Sequence, residues 1–225
     1  MKTIHALLFA GLLFLLSCGG GKGDLQKYGL KGKVKMVLQH QYNATAKDGE
    51  WVAGTPTING HRVTFYGEDG SYRRTVTMNH AGDTLGYTTT AWEDGEMVEE
   101  TYISVYDRRE TKTLLERVSS DRVNFEVWEG EKLQFEGANF FDSRGRLERQ
   151  VRVVNDRELA IHWVYEKDIL VENYEEDMGS GKRTATQHYE YRDFDDKGNW
   201  TTQLVFPGKD KISAELVVKR EITYY

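Results

Sequence analysis

The feature that most constrains this chain is a series of short turn signals that recurs along its whole length. The clearest of them are the glycine-containing turns at 48–49, 59–60, 69–70, 94–95, 142–145 and 195–198. Asp-Gly and Asn-Gly favour tight hairpins because both central residues tolerate a positive φ. Most intervals between turns are about 10–15 residues, which fits one strand with part of a turn. The spacing therefore predicts consecutive antiparallel hairpins.

The segments between the turns have the composition and alternation of strands. Residues 101–106 (TYISVY), 123–128 (VNFEVW) and 151–154 (VRVV) place β-branched and aromatic side chains at every second position. Only two prolines occur in 225 residues, which suits strands whose N–H groups are all needed for pairing. We predict an all-β fold, a long antiparallel meander of about thirteen or fourteen strands that forms a curled open sheet or a barrel-like structure.

The N-terminus has the pattern of a lipoprotein signal peptide over residues 1–17. Lys2 is followed by the apolar run 6–16 (ALLFAGLLFLL), which is too short to span a bilayer and suits a secretory h-region. The next residues, Ser17 and Cys18, complete a sequence that resembles a bacterial lipobox. The resemblance implies cleavage before Cys18 and lipidation of its thiol. The alternative is an ordinary signal peptide that happens to contain a cysteine.

The remainder of the chain has one linker and one domain. Residues 18–29 begin with the lipidated Cys18 and continue through a glycine-rich stretch, which predicts a short flexible tether. No further linker or break in composition follows, so residues 30–225 are interpreted as a single all-β domain. The domain would therefore sit close to the membrane that holds its lipid.

Several of the turns share flanking aromatic residues and so form a weak internal repeat. The clearest copies are residues 141–147 (FDSRGRL) and 194–201 (FDDKGNWT). These motifs resemble the YD repeats of RHS-type proteins. The domain ends, 30–35 (LKGKVK) and 220–225 (REITYY), are similar to those of RHS/YD-repeat-like lipoproteins of Bacteroidota. This resemblance implies a curled antiparallel sheet, export and the outer membrane, and it implies no reaction and no catalytic residues.

The composition argues against several classes of function. A net charge of −6 disfavours a nucleic-acid partner, whose phosphates attract Lys and Arg. One cysteine cannot build a disulfide framework or a cysteine-rich zinc site. The histidines do not stand at chelating spacings, and the sequence has no Gly-x-Ser-x-Gly elbow. We therefore predict a protein that is not an enzyme and needs no cofactor or metal.

The tryptophans are the candidate ligand-binding residues. Trp92, Trp128, Trp163 and Trp200 could stack on the rings of a glycan, and the alternative is cross-strand packing on a buried face. Two hypotheses follow. The first is a non-enzymatic, lipid-anchored scaffold or protein-interaction module of the cell envelope. The second is a lipoprotein that binds a glycan or small ligand on a curled sheet. The resemblance implies the outer membrane, and because acidic residues do not follow Cys18 directly, we expect the protein to face the periplasm.

Overall fold

A computed structural model of the chain describes residues 24–26, 28–154 and 156–225. After a 3₁₀ turn at Asp24–Gln26, the described residues form strands joined by short turns. The strands are β1 (Val34–Lys47), β2 (Glu50–Pro56), β3 (His61–Tyr66), β4 (Tyr72–Met78), β5 (Thr84–Glu93), β6 (Glu96–Ser104), β7 (Glu110–Ser119), β8 (Arg122–Glu129), β9 (Lys132–Phe141), β10 (Leu147–Val154), β11 (Arg157–Glu166), β12 (Ile169–Asp177), β13 (Lys182–Phe194), β14 (Trp200–Phe206) and β15 (Leu216–Tyr224). The predicted all-β antiparallel meander is confirmed.

The sheet closes on itself through its first and last long strands. β1 pairs with β15 from Val34 opposite Tyr224 to Asn43 opposite Leu216. The other edge of β1 is shared, because its first half pairs with β3 and its second half pairs with β2. β1 and β3–β15 therefore form a closed 14-strand barrel, from which the β1–β2 hairpin projects. Of the two predicted forms, the structure has the closed one, which leaves no long unpaired edge in the wall.

The recurrent motifs of the sequence form tight turns on one rim of the barrel. We call this the near rim, because β1 begins there, and the opposite end the far rim. Asp142 Oδ1 accepts hydrogen bonds from the backbone N–H groups of Arg144 and Arg146, both at 2.9 Å. Asp195 Oδ1 accepts from the N–H groups of Lys197 and Asn199 in the same way. In both turns a glycine takes a φ of 76°, which a side chain would strain. The repeat is thus a repeated turn.

Alternate residues along each strand face the lumen of the barrel or its outside. At the near end the inward residues form one apolar core that spans the barrel from β1 to β11. Its buried members from the strands are Val34, Val37, Tyr66, Tyr72, Met97, Leu115, Val123, Phe125, Val127, Phe141, Leu147 and Trp163. The Phe125 ring packs against Gly137, where a Cβ would lie 2.6 Å from the ring atom Cζ. The absence of a side chain at Gly137 therefore leaves room for the Phe125 ring against the wall.

The β1–β2 hairpin and the loop before β15 cover a second, smaller core on the outside of the barrel. Leu204, Phe206 and Val217 lie on the opposite face from Val205 and Val218 and are nevertheless fully buried. Trp51 of β2 and Ala214 of the loop pack over them. This outer cluster holds the projecting hairpin against the seam of the barrel, where β1 pairs with β15. The far end of the lumen is lined by the other strands.

Candidate functional site

The near end of the lumen is closed by the segment that enters the barrel. Asp24, Leu25, Tyr28 and Leu30 lie inside the rim, and the Asp24 carboxylate accepts a hydrogen bond from the backbone N–H of Tyr72 at 2.7 Å. The Tyr28 ring meets the edges of Tyr66 and Tyr72 at centroid distances of 6.0 and 6.4 Å. We call residues 24–26 and 28–30 the plug. Its packing with the apolar core seals the near end.

The far end of the lumen is more polar than the near end. Many of its inward side chains are polar and only partly buried, unlike the residues of the near-end core, whereas Tyr189, Val205 and Val218 of β13–β15 form a third, buried apolar cluster that also points inward. The polar ones include Gln39, Arg62, Thr77, Tyr102, Thr111, Thr113, Arg152, Glu175, Gln203 and Arg220. Barrels of about 8 strands are filled by side chains, whereas those of about 16–18 strands leave an aqueous channel. A barrel of 14 strands has room for such a compartment beyond its plug.

Two arginines meet at the boundary between the plug and this compartment. Arg62 Nη2 and Arg220 Nε both donate to Gln39 Oε1, at 3.2 and 3.3 Å. The three residues lie in register on adjacent strands, since Gln39 is opposite Arg62 in β3 and Arg220 in β15. The Arg220 guanidinium also stacks 3.5 Å above the ring of Trp200. We call Arg62, Arg220 and Gln39 the arginine cluster.

The environment of the arginine cluster disfavours its positive charge. Burial, together with the nearby Arg62 charge, lowers the pKa of Arg220 to about 9. Burial also lowers the pKa of Arg62. Among the described residues, which include every Asp and Glu of the sequence, no carboxylate forms an ion pair with either guanidinium. The cluster is therefore a concentration of positive charge without a matching acid.

A third lumenal arginine shows the usual arrangement for comparison. Arg152 Nη2 lies 2.6 Å from Glu175 Oε2 across two strands, and both side chains are largely shielded from solvent. A buried charge is tolerated in this way because a partner of opposite charge and good geometry offsets its lost hydration. Arg62 and Arg220 differ from Arg152 in having an amide where it has a carboxylate.

Glu100 is a second lumenal group whose environment works against its charge. It faces inward from β6, is 4 % exposed, and burial raises the pKa of its carboxyl to about 8. It stands opposite Thr90 and Thr113 on the neighbouring strands. At neutral pH the carboxyl is therefore mostly protonated and is able to donate a hydrogen bond into the lumen.

Two buried amides of the lumen wall keep unused hydrogen-bonding atoms. Asn139 Oδ1 accepts from Gln150 Nε2 at 2.9 Å, while Asn139 Nδ2 has no partner among the described residues. Asn173 Oδ1 is likewise buried without a donor from the part of the chain described. An unpaired buried polar atom costs about 1–3 kcal/mol. Such atoms are consistent with a lumen that holds additional polar groups.

The four candidate tryptophans do not share one surface. Trp163 is buried in the near-end core, and Trp92 packs against that core. Trp200 lies under Arg220 and beside Tyr191, 5.2 Å between ring centroids. Trp128 points outward, and its indole N–H donates to Glu126 Oε2 at 2.9 Å. Of the four, only Trp200 adjoins the arginine cluster, and ring stacking by these residues stays a prediction.

Four lumenal residues were not predicted from the sequence as site residues: Arg62, Arg220, Gln39 and Glu100. A signal was present, because in β15 Arg220 occupies the same face as Val218 and Ile222, and in β6 Glu100 occupies the same face as Met97 across a bulge. A charged residue within an apolar face marks a site to inspect. The sequence did not say which face points inward, because the outer face also carries apolar residues.

The outer wall of the barrel carries charged side chains along the middle of its strands. Glu126 and Glu136 are directly opposite each other on β8 and β9, and Lys219 and Glu221 alternate along β15. Arg74 and Lys112 are similarly exposed on β4 and β7. A wall that faces lipid presents a continuous apolar band, since Lys or Arg at the bilayer midplane costs about 2–4 kcal/mol. The described outer face has the charge distribution of a wall that faces water.

Some predicted features lie outside the described residues or concern the whole chain. The signal peptide at 1–17, the lipidation site Cys18 and the start of the tether are among the residues that the structure does not describe. Within residues 24–26, 28–154 and 156–225, His, Cys, Asp and Glu do not gather in threes as a metal ion would require. In the same residues, no helix is long and apolar enough to span a membrane.

Comparisons with known proteins find similarity among solved structures and none at the level of sequence families. No family model and no curated protein matches the sequence. A solved structure described as a porin-like protein from Bacteroides vulgatus is similar over 85 % of this chain and 98 % of its own, with 12 % identity and a TM-score of 0.47. A porin-like protein from Bacteroides uniformis is similar over 86 % and 99 %, with 9 % identity and a TM-score of 0.41.

The resemblance to RHS/YD-repeat-like lipoproteins is wrong. The described strands form one closed 14-strand barrel in place of a stack of repeats. The physical reason is that Asp-x-x-Gly with flanking aromatics encodes a turn. The aspartate caps the turn and the glycine takes the positive φ. The preceding aromatic is buried in the first copy, at Phe141, and exposed in the second, at Phe194. Any barrel built from hairpins can use that chemistry at each rim turn.

Proposed function

We propose that this chain is a non-enzymatic, lipid-anchored protein of the cell envelope whose barrel binds a small ligand in the far end of its lumen. The observation that carries the proposal is the set of partly exposed polar side chains that point into the lumen beyond the plug, among them Gln39, Arg62, Gln203 and Arg220. Ligand sites combine an enclosed space with a few polar groups that fix orientation. A compartment closed at one end offers such a space.

The anchoring part of the proposal rests on the lipobox-like sequence at Cys18 and on the position of the plug. Asp24 lies within the near rim, and Cys18 stands six residues before it in the sequence. A lipid on Cys18 would hold the near rim toward the membrane and leave the far end free. The charged outer wall supports contact through the lipid in preference to insertion of the strands. We place the protein at the outer membrane, facing the periplasm.

Cysteine reactivity tests the lumenal compartment directly, because Cys18 is the sole cysteine of the sequence. In the full chain purified in detergent, Gln203→Cys places a thiol on the inward face of β14, and Thr202→Cys places the matched thiol on its outward face. We expect both to react with a small methanethiosulfonate reagent, and Val123→Cys at the sealed near end to be protected. An unreactive Gln203→Cys beside a reactive Thr202→Cys would show a closed lumen and overturn the ligand-binding proposal.

Lipid anchoring is tested separately in the producing cells. Labelled palmitate should enter the wild-type protein and be absent from Cys18→Ser, and only the wild-type protein should fractionate with membranes. The outward residue Lys219 offers a control, since Lys219→Gln should keep both the label and the membrane fraction. Membrane retention of unlabelled Cys18→Ser would mean that the barrel itself holds the membrane.

A further inference from the structure

We propose that the arginine cluster is an oxyanion site, at which Arg62 and Arg220 together bind a phosphate or carboxylate group of a small ligand. This inference rests on the proposed function, since it names the chemical class of the lumenal ligand. It goes further by assigning the group that the ligand must carry and the residues that hold it.

The two guanidinium charges of the arginine cluster are not compensated by a carboxylate. Both guanidinium groups donate to the same Gln39 oxygen, so two positive charges are held near one another. Like charges at such distances repel, and the partial burial of both side chains makes the repulsion stronger than it is between fully hydrated groups. All acids of the sequence lie in the described residues, and their ion pairs are with other bases, such as Arg152 with Glu175. An oxyanion would supply the missing negative charge.

Arg62 and Arg220 also keep N–H donors that no described acceptor uses. Each guanidinium uses one N–H group on Gln39, and the described residues show no other acceptor for these two arginines. Planar guanidinium forks match the paired oxygens of phosphate and carboxylate groups and bind them through parallel hydrogen bonds. Arg220 is also held in place by the Trp200 ring, 3.5 Å away, so one fork is already oriented.

The position of the arginine cluster within the barrel also suits a ligand that enters from the far rim. It lies just beyond the plug, with Arg62 close to Tyr28, Tyr66 and Tyr72, and it faces the far end of the lumen. A ligand that enters at the far rim would meet the arginines at the inner limit of the open space. On its way it would pass Gln203, whose amide N–H donates to the Tyr191 hydroxyl at 2.9 Å. The remaining part of the ligand would therefore lie among amide and hydroxyl groups.

Anion-dependent stability is the first test, made on the full chain in detergent with inorganic phosphate, succinate and sodium chloride at matched ionic strength. A ligand that binds only the folded state raises its melting temperature. We expect phosphate or succinate to raise the melting temperature of wild type above that in chloride. Arg62→Gln and Arg220→Gln should each weaken binding about tenfold or more. Arg74→Gln, the same charge change on the outer wall, should bind as wild type does.

The behaviour without anion separates a binding role from a structural one. Glutamine can still donate to Gln39, and each substitution removes an uncompensated charge. We therefore expect Arg62→Gln and Arg220→Gln to melt at or above the wild-type temperature in chloride. Clear destabilisation of both variants in chloride would show that the arginines support the fold, and it would overturn the proposal. An equal phosphate shift in wild type and in both variants would also overturn it.

A second measurement does not depend on stability. Gln203→Cys should react faster with an anionic than with a cationic methanethiosulfonate, and the ratio of the two rates should fall by about tenfold when Arg62 and Arg220 are both replaced by glutamine. Thr202→Cys on the outer face should show no such change. If Gln203→Cys reacts without preference for the anionic reagent, the open lumen stands and the oxyanion site is wrong. If it does not react at all, the proposed function fails first.

Discussion

The two ends of the lumen are built on the same strands and have opposite contents. At the near end, inward positions carry Val123, Phe125 and Phe141, and the plug completes a sealed apolar core. Toward the far end, the same alternation brings Thr77 and Gln203 inward, and water reaches them. The wall alone does not determine what fills a barrel. At the near end, Leu25, Tyr28 and Leu30 of the plug complete the apolar packing that the strands begin.

This comparison also separates stability from function. A sealed core contributes stability through apolar burial and close packing. Partly exposed polar side chains contribute little, and a buried carboxyl such as that of Glu100 works against stability when it is charged. Substitutions at the near end should therefore destabilise the barrel, and those at the far end should leave stability unchanged or increase it.

The largest effect is expected at Phe125, which is 2 % exposed and packs over Gly137. Phe125→Ala should lower the free energy of unfolding by about 3–5 kcal/mol, because it removes an aromatic ring and leaves a cavity in a core that cannot collapse. Chemical denaturation followed by circular dichroism measures this. The outward neighbour Asn124→Ala should change stability by less than about 0.5 kcal/mol. Equal effects of the two variants would mean that the near end is not a packed core.

The next largest effect is an increase in the free energy of unfolding on Glu100→Gln, and its size depends on pH. The Glu100 carboxyl has a pKa of about 8 in the folded barrel, above its value of about 4.3 in an unfolded chain. Between these values the folded state binds more protons, so stability falls as pH rises from about 4.5 to 8. Glu100→Gln removes this loss. It should therefore stabilise the barrel by on the order of 3 kcal/mol at pH 7 and leave its stability unchanged at pH 4.

Denaturation curves at pH 4, 7 and 8.5 test this sign and size. Glu99→Gln is the matched control, since Glu99 is the outward neighbour of Glu100 and lies 3.9 Å from Lys112. It should give curves close to wild type at every pH. If Glu100→Gln destabilised the barrel at pH 7, the carboxylate would be ionised and paired, and the far end would resemble the Arg152–Glu175 pair.

A smaller loss of stability is expected at Asn199, which joins the residue that follows the plug to the last strand of the barrel. The Asn199 side chain accepts from the Lys31 N–H at 2.7 Å and donates to the Lys31 carbonyl at 3.0 Å and to the Tyr224 hydroxyl at 2.6 Å. Asn199→Ala removes these bonds and should cost about 2 kcal/mol. The amide of Lys31 should also lose protection from hydrogen exchange. Lys197→Ala, exposed in the same turn, should change neither quantity.

The sequence predicted the strands and turns well because both depend on local chemistry. Asp142 and Asp195 cap their turns through contacts a few residues away, and alternation follows from the geometry of a strand. Closure was left open because it depends on β1 meeting β15, whose paired residues are far apart in the chain. The same limit hid the arginine cluster. Arg62 and Arg220 become neighbours only when Gln39 lies between them in the closed wall.

The smallest effect is expected at Thr77, an inward residue of β4 that stands opposite Arg62 and Gly86. Thr77→Val exchanges a hydroxyl for a methyl group, and its result depends on whether the surrounding lumen is wet. Where water reaches the side chain, neither group gains much on folding, so the free energy of unfolding should change by less than about 0.5 kcal/mol. The reverse exchange at the near end, Leu115→Thr, should cost about 2 kcal/mol because Leu115 is buried in the core. A stabilisation by Thr77→Val of more than about 1 kcal/mol would mean that the far end is as dry as the near end, and the division of the lumen into a core and a compartment would then be lost.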